Sequence, residues 1–131
     1  MREIEFRGKI TENGEWVYGF FENNKFQNVI HSIEEPFRRS YYINPKSLGQ
    51  YTGLKDKNGR KIYEGDIIRQ LVGEKQKTIG NIIWNGWQYV ITQVVSGKET
   101  TNYFGYNSED VEPDKLEVVG NIYENPELIK S

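Results

Sequence analysis

Residues 51–68 read YTGLKDKNGRKIYEGDII, eighteen positions that hold three glycines and an Asn-Gly pair and end on an apolar strand start. Asn58-Gly59 predicts a hairpin turn, and Gly53 and Gly65 give the backbone freedom at two further bends. Tyr63-Glu64-Gly65-Asp66 then leads into IIRQLV, an Ile-rich strand. Asp56 and Asp66 each sit where a short carboxylate bonds nearby backbone amides and fixes a turn. An apolar residue, a tight Gly-Asp reversal and a strand together predict the opening of a small SH3-like β-barrel.

Toward the C-terminus, TIGNIIW and WQYVITQVV flank Asn85-Gly86, the two-residue signature of a type I′ hairpin. That register places Trp84 opposite Trp87 and Ile82 opposite Tyr89, with Ile83, Val90 and Val94 on the other face. Both faces are therefore apolar, as in a strand pair lying inside a layered structure or against another subunit. Ser108 through Pro113 predicts one capped helical turn before the strand KLEVVGNI, which Asn125-Pro126 stops.

Toward the N-terminus, EIEFRGKI (3–10) alternates Ile4, Phe6 and Gly8 with charged residues, the period of a half-buried strand. EWVYGFFE and KFQNVIH follow, separated by turn-forming residues, and complete a three-stranded meander. After Pro36 and Arg38-Arg39 interrupt the pattern, YYIN resumes it. Asn44-Pro45-Lys46-Ser47 then predicts a helical turn capped by Asn44 and closed by Gly49. The expected fold is mostly β: one domain over 1–131, with an N-terminal antiparallel meander (1–49) joined to a small SH3-like barrel (50–131) and one or two short helical turns.

Composition agrees with that class. Among 131 residues are nine Tyr, six Phe and three Trp and no Ala, a balance suited to pleated surfaces and unsuited to long helices. The absence of Cys rules out disulfides and thiolate metal sites. No run approaches a membrane span, and MREIEFRGK lacks the apolar segment of a secretory signal, so a cytoplasmic protein is expected. Net charge is −2, against the basic balance of proteins that hold nucleic acid by charge alone, although residues 50–80 carry seven basic and four acidic side chains.

GQYTGLKDKNGRKIYEGDII (49–68) and VVGNIYENPELI (118–129) together resemble the YopX family, and EFRGKITENGEWVYGFF is similar to its N-terminal region. The resemblance implies a predominantly β protein encoded by bacteriophages and prophages, chiefly of Gram-positive bacteria, acting in the host bacterial cytoplasm. It implies no established biochemical activity, and no catalytic or binding residue transfers with it.

The residues themselves point away from catalysis. His31 is the one histidine, which excludes a multi-His zinc site within one chain; Ser32 and Ser40 lie near it in sequence, but no motif indicates an oxyanion hole. Asp56, Glu64 and Asp66 have the chemistry to gather a magnesium ion, yet turn formation accounts for the two aspartates. The acidic run Glu109 to Asp114 lacks the spacing of a calcium loop, and no phosphate-binding glycine motif is present. The motif residues Gly53, Asp56, Asn58, Gly59, Tyr63, Glu64, Gly65 and Asp66 are read as structural. The expected binding surface is Trp84, Trp87 and Tyr89 beside Lys55, Lys57, Arg60 and Lys61. No cofactor is expected. Self-association or a host or phage protein is the expected partner, with weak binding of single-stranded nucleic acid as the alternative.

Overall fold

The computed structural model describes residues 4–23, 27–32, 39–84, 89–95, 98–103 and 115–129. Ten antiparallel strands make up almost all of its regular structure. The chain divides into two compact units, Met1–Tyr51 and Thr52–Ser131.

In the first unit, β1 (Phe6–Ile10), β2 (Trp16–Asn23) and β3 (Asn28–Ser32) form the expected meander. β4 (Ser40–Lys55) then pairs with β3 and also with β1, so the pairings of the four strands return on themselves. Alternation explains the result. Ile10, Val17, Ile30 and Ile43 point inward as one core, with Phe6, Phe21, Tyr41 and Leu48 packed against it; contrary to the alternation expected over 3–10, Glu5 and Arg7 are buried and Ile4 is exposed. Gly19 is required by close approach, because a Cβ there would collide with the backbone carbonyl of His31 on β3.

The helical turn expected at Asn44–Ser47 is instead a bulge inside β4. Opposite β1, pairing jumps from Arg7↔Gly49 to Lys9↔Asn44, so Gly8 faces the four residues 45–48. Asn44 does use its side chain locally, its Oδ1 accepting from the Lys46 amide at 3.0 Å. Ser47 then holds the segment to the sheet: its hydroxyl donates to the Asn44 carbonyl at 2.6 Å and accepts from the Lys9 amide at 2.7 Å. A side-chain oxygen thus replaces a missing ladder carbonyl, and strand continues where helix was expected. Ser47→Ala, which leaves the Lys9 amide without its acceptor, is expected to cost about 1–2 kcal/mol in denaturant unfolding.

In the second unit, the end of β4 pairs with β5 (Lys61–Tyr63), and a five-stranded sheet has the order β10-β6-β7-β8-β9. Its strands are β6 (Asp66–Val72), β7 (Lys75–Trp84), β8 (Tyr89–Val95), β9 (Lys98–Tyr103) and β10 (Leu116–Asn121). Ile62, Ile68, Ile82, Leu116 and Val118 form its core, with Leu54 against them. Among the described residues β10 and β9 are the sheet's edges, and no pairing between them closes it into the expected barrel.

The β7–β8 register also corrects expectation. Trp84 pairs with Tyr89, Ile83 with Val90 and Ile82 with Ile91, so four residues, 85–88, connect the strands where the Asn-Gly signature predicted two. The observed register sets Ile against Ile and Asn81 against Thr92, matching apolar with apolar and polar with polar across the pair. A shift of two preserves the alternation along β7, so the face assignment of Ile82 is unchanged. Trp87 and the expected helical turn at Ser108–Pro113 lie outside the described residues.

β10 ends at Asn121, one residue short of the end of the expected strand KLEVVGNI. The Asn121 side chain ends it, accepting from the amides of Tyr123 at 3.0 Å and Glu124 at 2.9 Å; a 3₁₀ turn over Pro126–Ile129 follows.

Candidate functional site

The acidic residues of the central motif serve the backbone. Asp56 is buried, and its carboxylate accepts three amide hydrogens: Oδ1 from Asn58 and Arg60, both at 2.9 Å, and Oδ2 from Val118 at 3.0 Å, sixty-two residues away. The Lys57 amide also donates to the Leu116 carbonyl at 2.9 Å, so this hairpin turn is stitched along β10. The turn is a three-residue loop, Lys57-Asn58-Gly59, closed by the Asp56 amide on the Arg60 carbonyl at 2.8 Å, with Gly59 at φ +81°.

Asp66, also buried, accepts from the Tyr63 amide at 2.7 Å through Oδ2 and so pins the reversal through Glu64-Gly65. Gly65 has φ +93°, and a Cβ there would press on the Tyr123 ring at 3.0 Å. Its amide donates to the Ile82 carbonyl and its carbonyl accepts from Ile122, both at 2.9 Å, so the reversal joins β7 to the end of β10. Gly53, at φ +91°, lies within β4. The two aspartates thus turn to backbone amides, and among the described residues no cluster of three His, Cys, Asp or Glu side chains is arranged to hold a metal ion.

The basic residues expected at a binding surface divide. Lys55 and Arg60 are exposed and Lys61 half-buried, but Lys57 pairs with Glu117 at 3.3 Å, as does Arg69 at 2.5 Å. Burial acts to raise the Glu117 carboxyl. The hydrogen bond from Lys57 and the charges of Arg69 and Lys57 outweigh it and hold the group below its ordinary 4.5. Because the folded value is the lower one, this pair's stabilisation is complete above about pH 4.5 and is lost as pH falls through the lowered value. Urea titrations of the wild type and Glu117→Gln at pH 7 and at pH 3 are expected to differ more at pH 7.

The outer face of β2, β3 and β4 holds a group that reading along the chain did not anticipate. Phe20 and Tyr42 are 58% and 56% exposed, the largest aromatic side chains so displayed among the described residues. The register places Phe20 across from His31, and His31 across from Ser40; Glu22 faces Val29, which faces Tyr42. His31 thus lies between the strands bearing the two aromatics. Its Nδ1 is 2.7 Å from the Ser40 hydroxyl and its Nε2 3.0 Å from Glu22 Oε2, a chain of contacts across three strands. The same face of β2 carries Trp16, covered by the cations of Arg7 at 4.4 Å and Lys9 at 5.4 Å from the ring centroid.

These partners stand nine residues apart along the chain, and only the register of β2 on β3 and of β3 on β4 brings them together. Of the sequence-predicted aromatic surface, Trp84 and Tyr89 pair through their backbones.

No curated protein matches the chain. A solved structure, that of protein EF1440 from Enterococcus faecalis, is similar in fold with a TM-score of 0.56 at 20% identity, covering 99% of this chain and 100% of that one. The sequence model described as YopX protein matches residues 5–130. With a match over nearly its whole length, the chain belongs to the YopX family.

Proposed function

We propose that this is a phage or prophage protein of the bacterial cytoplasm that works by binding a protein partner, not by catalysis, and docks it on the outer face of β2–β4. The exposure of Phe20 and Tyr42 carries the reading, because the inner face of the same strands is already filled by its own core. Covering the exposed parts of two such side chains removes on the order of 200 Å² of apolar surface. At about 25 cal/mol per Å² that is about 5 kcal/mol before ordering costs. Pairing of β1–β4 returns on itself through β1 and β4, which favours a partner that meets this unit on a face over one that adds a strand.

We infer further that residues 50–131 form an SH3-like barrel entered through the Gly65-Asp66 reversal. Among the described residues, no helix is long and apolar enough to cross a membrane. The alternative, weak binding of single-stranded nucleic acid around the Asn58-Gly59 hairpin, keeps Lys55 and Arg60 as exposed cations. It loses Lys57 to Glu117 and contends with a net charge of −2.

The test is recovery of the tagged protein from its bacterial host with and without nuclease, beside the double variant Phe20→Glu, Tyr42→Glu. The expected result is one protein in near-stoichiometric amount that survives nuclease and is lost from the variant. Equal recovery by the variant, or a nuclease-sensitive nucleic acid in its place, sinks the proposal.

A further inference from the structure

We propose that Ser40 is an activated hydroxyl that accepts an acyl group from activated esters, with His31 as its base and Glu22 as the residue that orients the base. Sheet geometry sets the pair up. The Ser32 amide donates to the Arg39 carbonyl at 2.8 Å, which makes 32–39 a hydrogen-bonded pair and the adjoining His31–Ser40 pair a non-hydrogen-bonded one. Such pairs bring their Cα atoms to about 4.5 Å and their side chains closest together. The 2.7 Å contact from His31 Nδ1 to Ser40 Oγ follows from that placement.

Glu22 then decides which nitrogen carries the proton. A carboxylate only accepts, so its approach to Nε2 at 3.0 Å places the hydrogen on Nε2 of the neutral ring. Nδ1 keeps its lone pair and accepts from the Ser40 hydroxyl. This is the order a general-base nucleophile needs: hydroxyl, imidazole, carboxylate, each within hydrogen-bond reach of the next. The Ser40 amide points away from β3, as it must in a non-hydrogen-bonded pair. Phe20, across from His31, supplies an apolar flank for the acyl chain.

In the step itself, the Ser40 oxygen forms a bond to the ester carbonyl carbon and its proton passes to His31 Nδ1. The carbonyl re-forms as the bond to the leaving oxygen breaks, and the imidazolium proton goes to the leaving group or to water. No oxidant, reductant or metal is consumed. Because the network faces water, the acceleration belongs at the low end of general-base catalysis, about 100-fold. A single acyl transfer is enough to mark the docking face covalently.

The experiment treats the full chain with p-nitrophenyl acetate and maps acetyl groups by peptide mass spectrometry, following p-nitrophenolate release in parallel. Wild type is compared with Ser40→Ala, His31→Gln and Glu22→Gln, each checked for wild-type circular dichroism. Acetylation of Ser40 is expected to outrun that of the same serine in a synthetic peptide of residues 36–44. The rate should fall about 100-fold in H31Q and about tenfold in E22Q. Labelling of Ser40 no faster than in that peptide, a rate unchanged in H31Q, or nitrophenolate release without a serine ester, the mark of attack by the imidazole itself, would overturn the assignment.

Discussion

Asp56→Ala is expected to lower the stability of the 52–131 unit by about 4 kcal/mol, read as a shift in urea midpoint at unchanged slope. The carboxylate is buried and holds three amides, those of Asn58, Arg60 and Val118, and its loss leaves all three without that acceptor. Each orphaned buried donor costs about 1–3 kcal/mol, and water entering the exposed side of the hairpin returns part of the total. Asp56→Asn keeps the shape but turns one oxygen into a donor facing an amide donor, so it too is expected to cost about 2 kcal/mol. Amide exchange resolves the two roles. In Asp56→Asn, the Val118 amide or those of Asn58 and Arg60 should lose protection, according to which way the side-chain amide faces.

Gly19→Ala is the second large effect, and it falls on the other unit. A Cβ at residue 19 meets the His31 carbonyl, a backbone atom that can yield only by opening β2 from β3. The expected cost is about 3 kcal/mol or more, within the range for forcing atoms into a packed interior, with weaker protection of amides in both strands. The same movement displaces His31 from Glu22 and Ser40, so the variant should also lose the reactivity proposed for Ser40 while Gly14→Ala, in the open turn after β1, keeps it.

What could be read along the chain was local chemistry. An Asp two residues before Asn-Gly and a Gly-Asp reversal each act over a few residues, and each has its counterpart in the hydrogen bonds observed; the alternation of Ile4, Phe6 and Gly8 against Glu5 and Arg7 does not carry over to burial, since Glu5 and Arg7 are buried and Ile4 is exposed. Three features depended on partners far away in sequence. The bulge at 45–48 reads as a helical turn because Asn44 bonds the Lys46 amide in either case, and only the Lys9 amide, thirty-eight residues from Ser47, makes it strand. The β7–β8 register follows cross-strand pairs over the turn preference of Asn85-Gly86. The grouping of Glu22, His31 and Ser40 needs two registers at once, and a lone histidine carries no sign of it. Family membership was legible because the matching segments are long and densely patterned; an activity was not, because no residue in them carries recognisable chemistry.

Docking of a protein on the outer face of β2–β4 is tested most directly by photocrosslinking from that face in the bacterial host. Benzoylphenylalanine replaces Phe20 in one strain and the exposed Arg60 of the hairpin in another. A single protein adduct from position 20, absent from position 60, is the expected result. Adducts to nucleic acid from position 60, with none to protein from position 20, would contradict it.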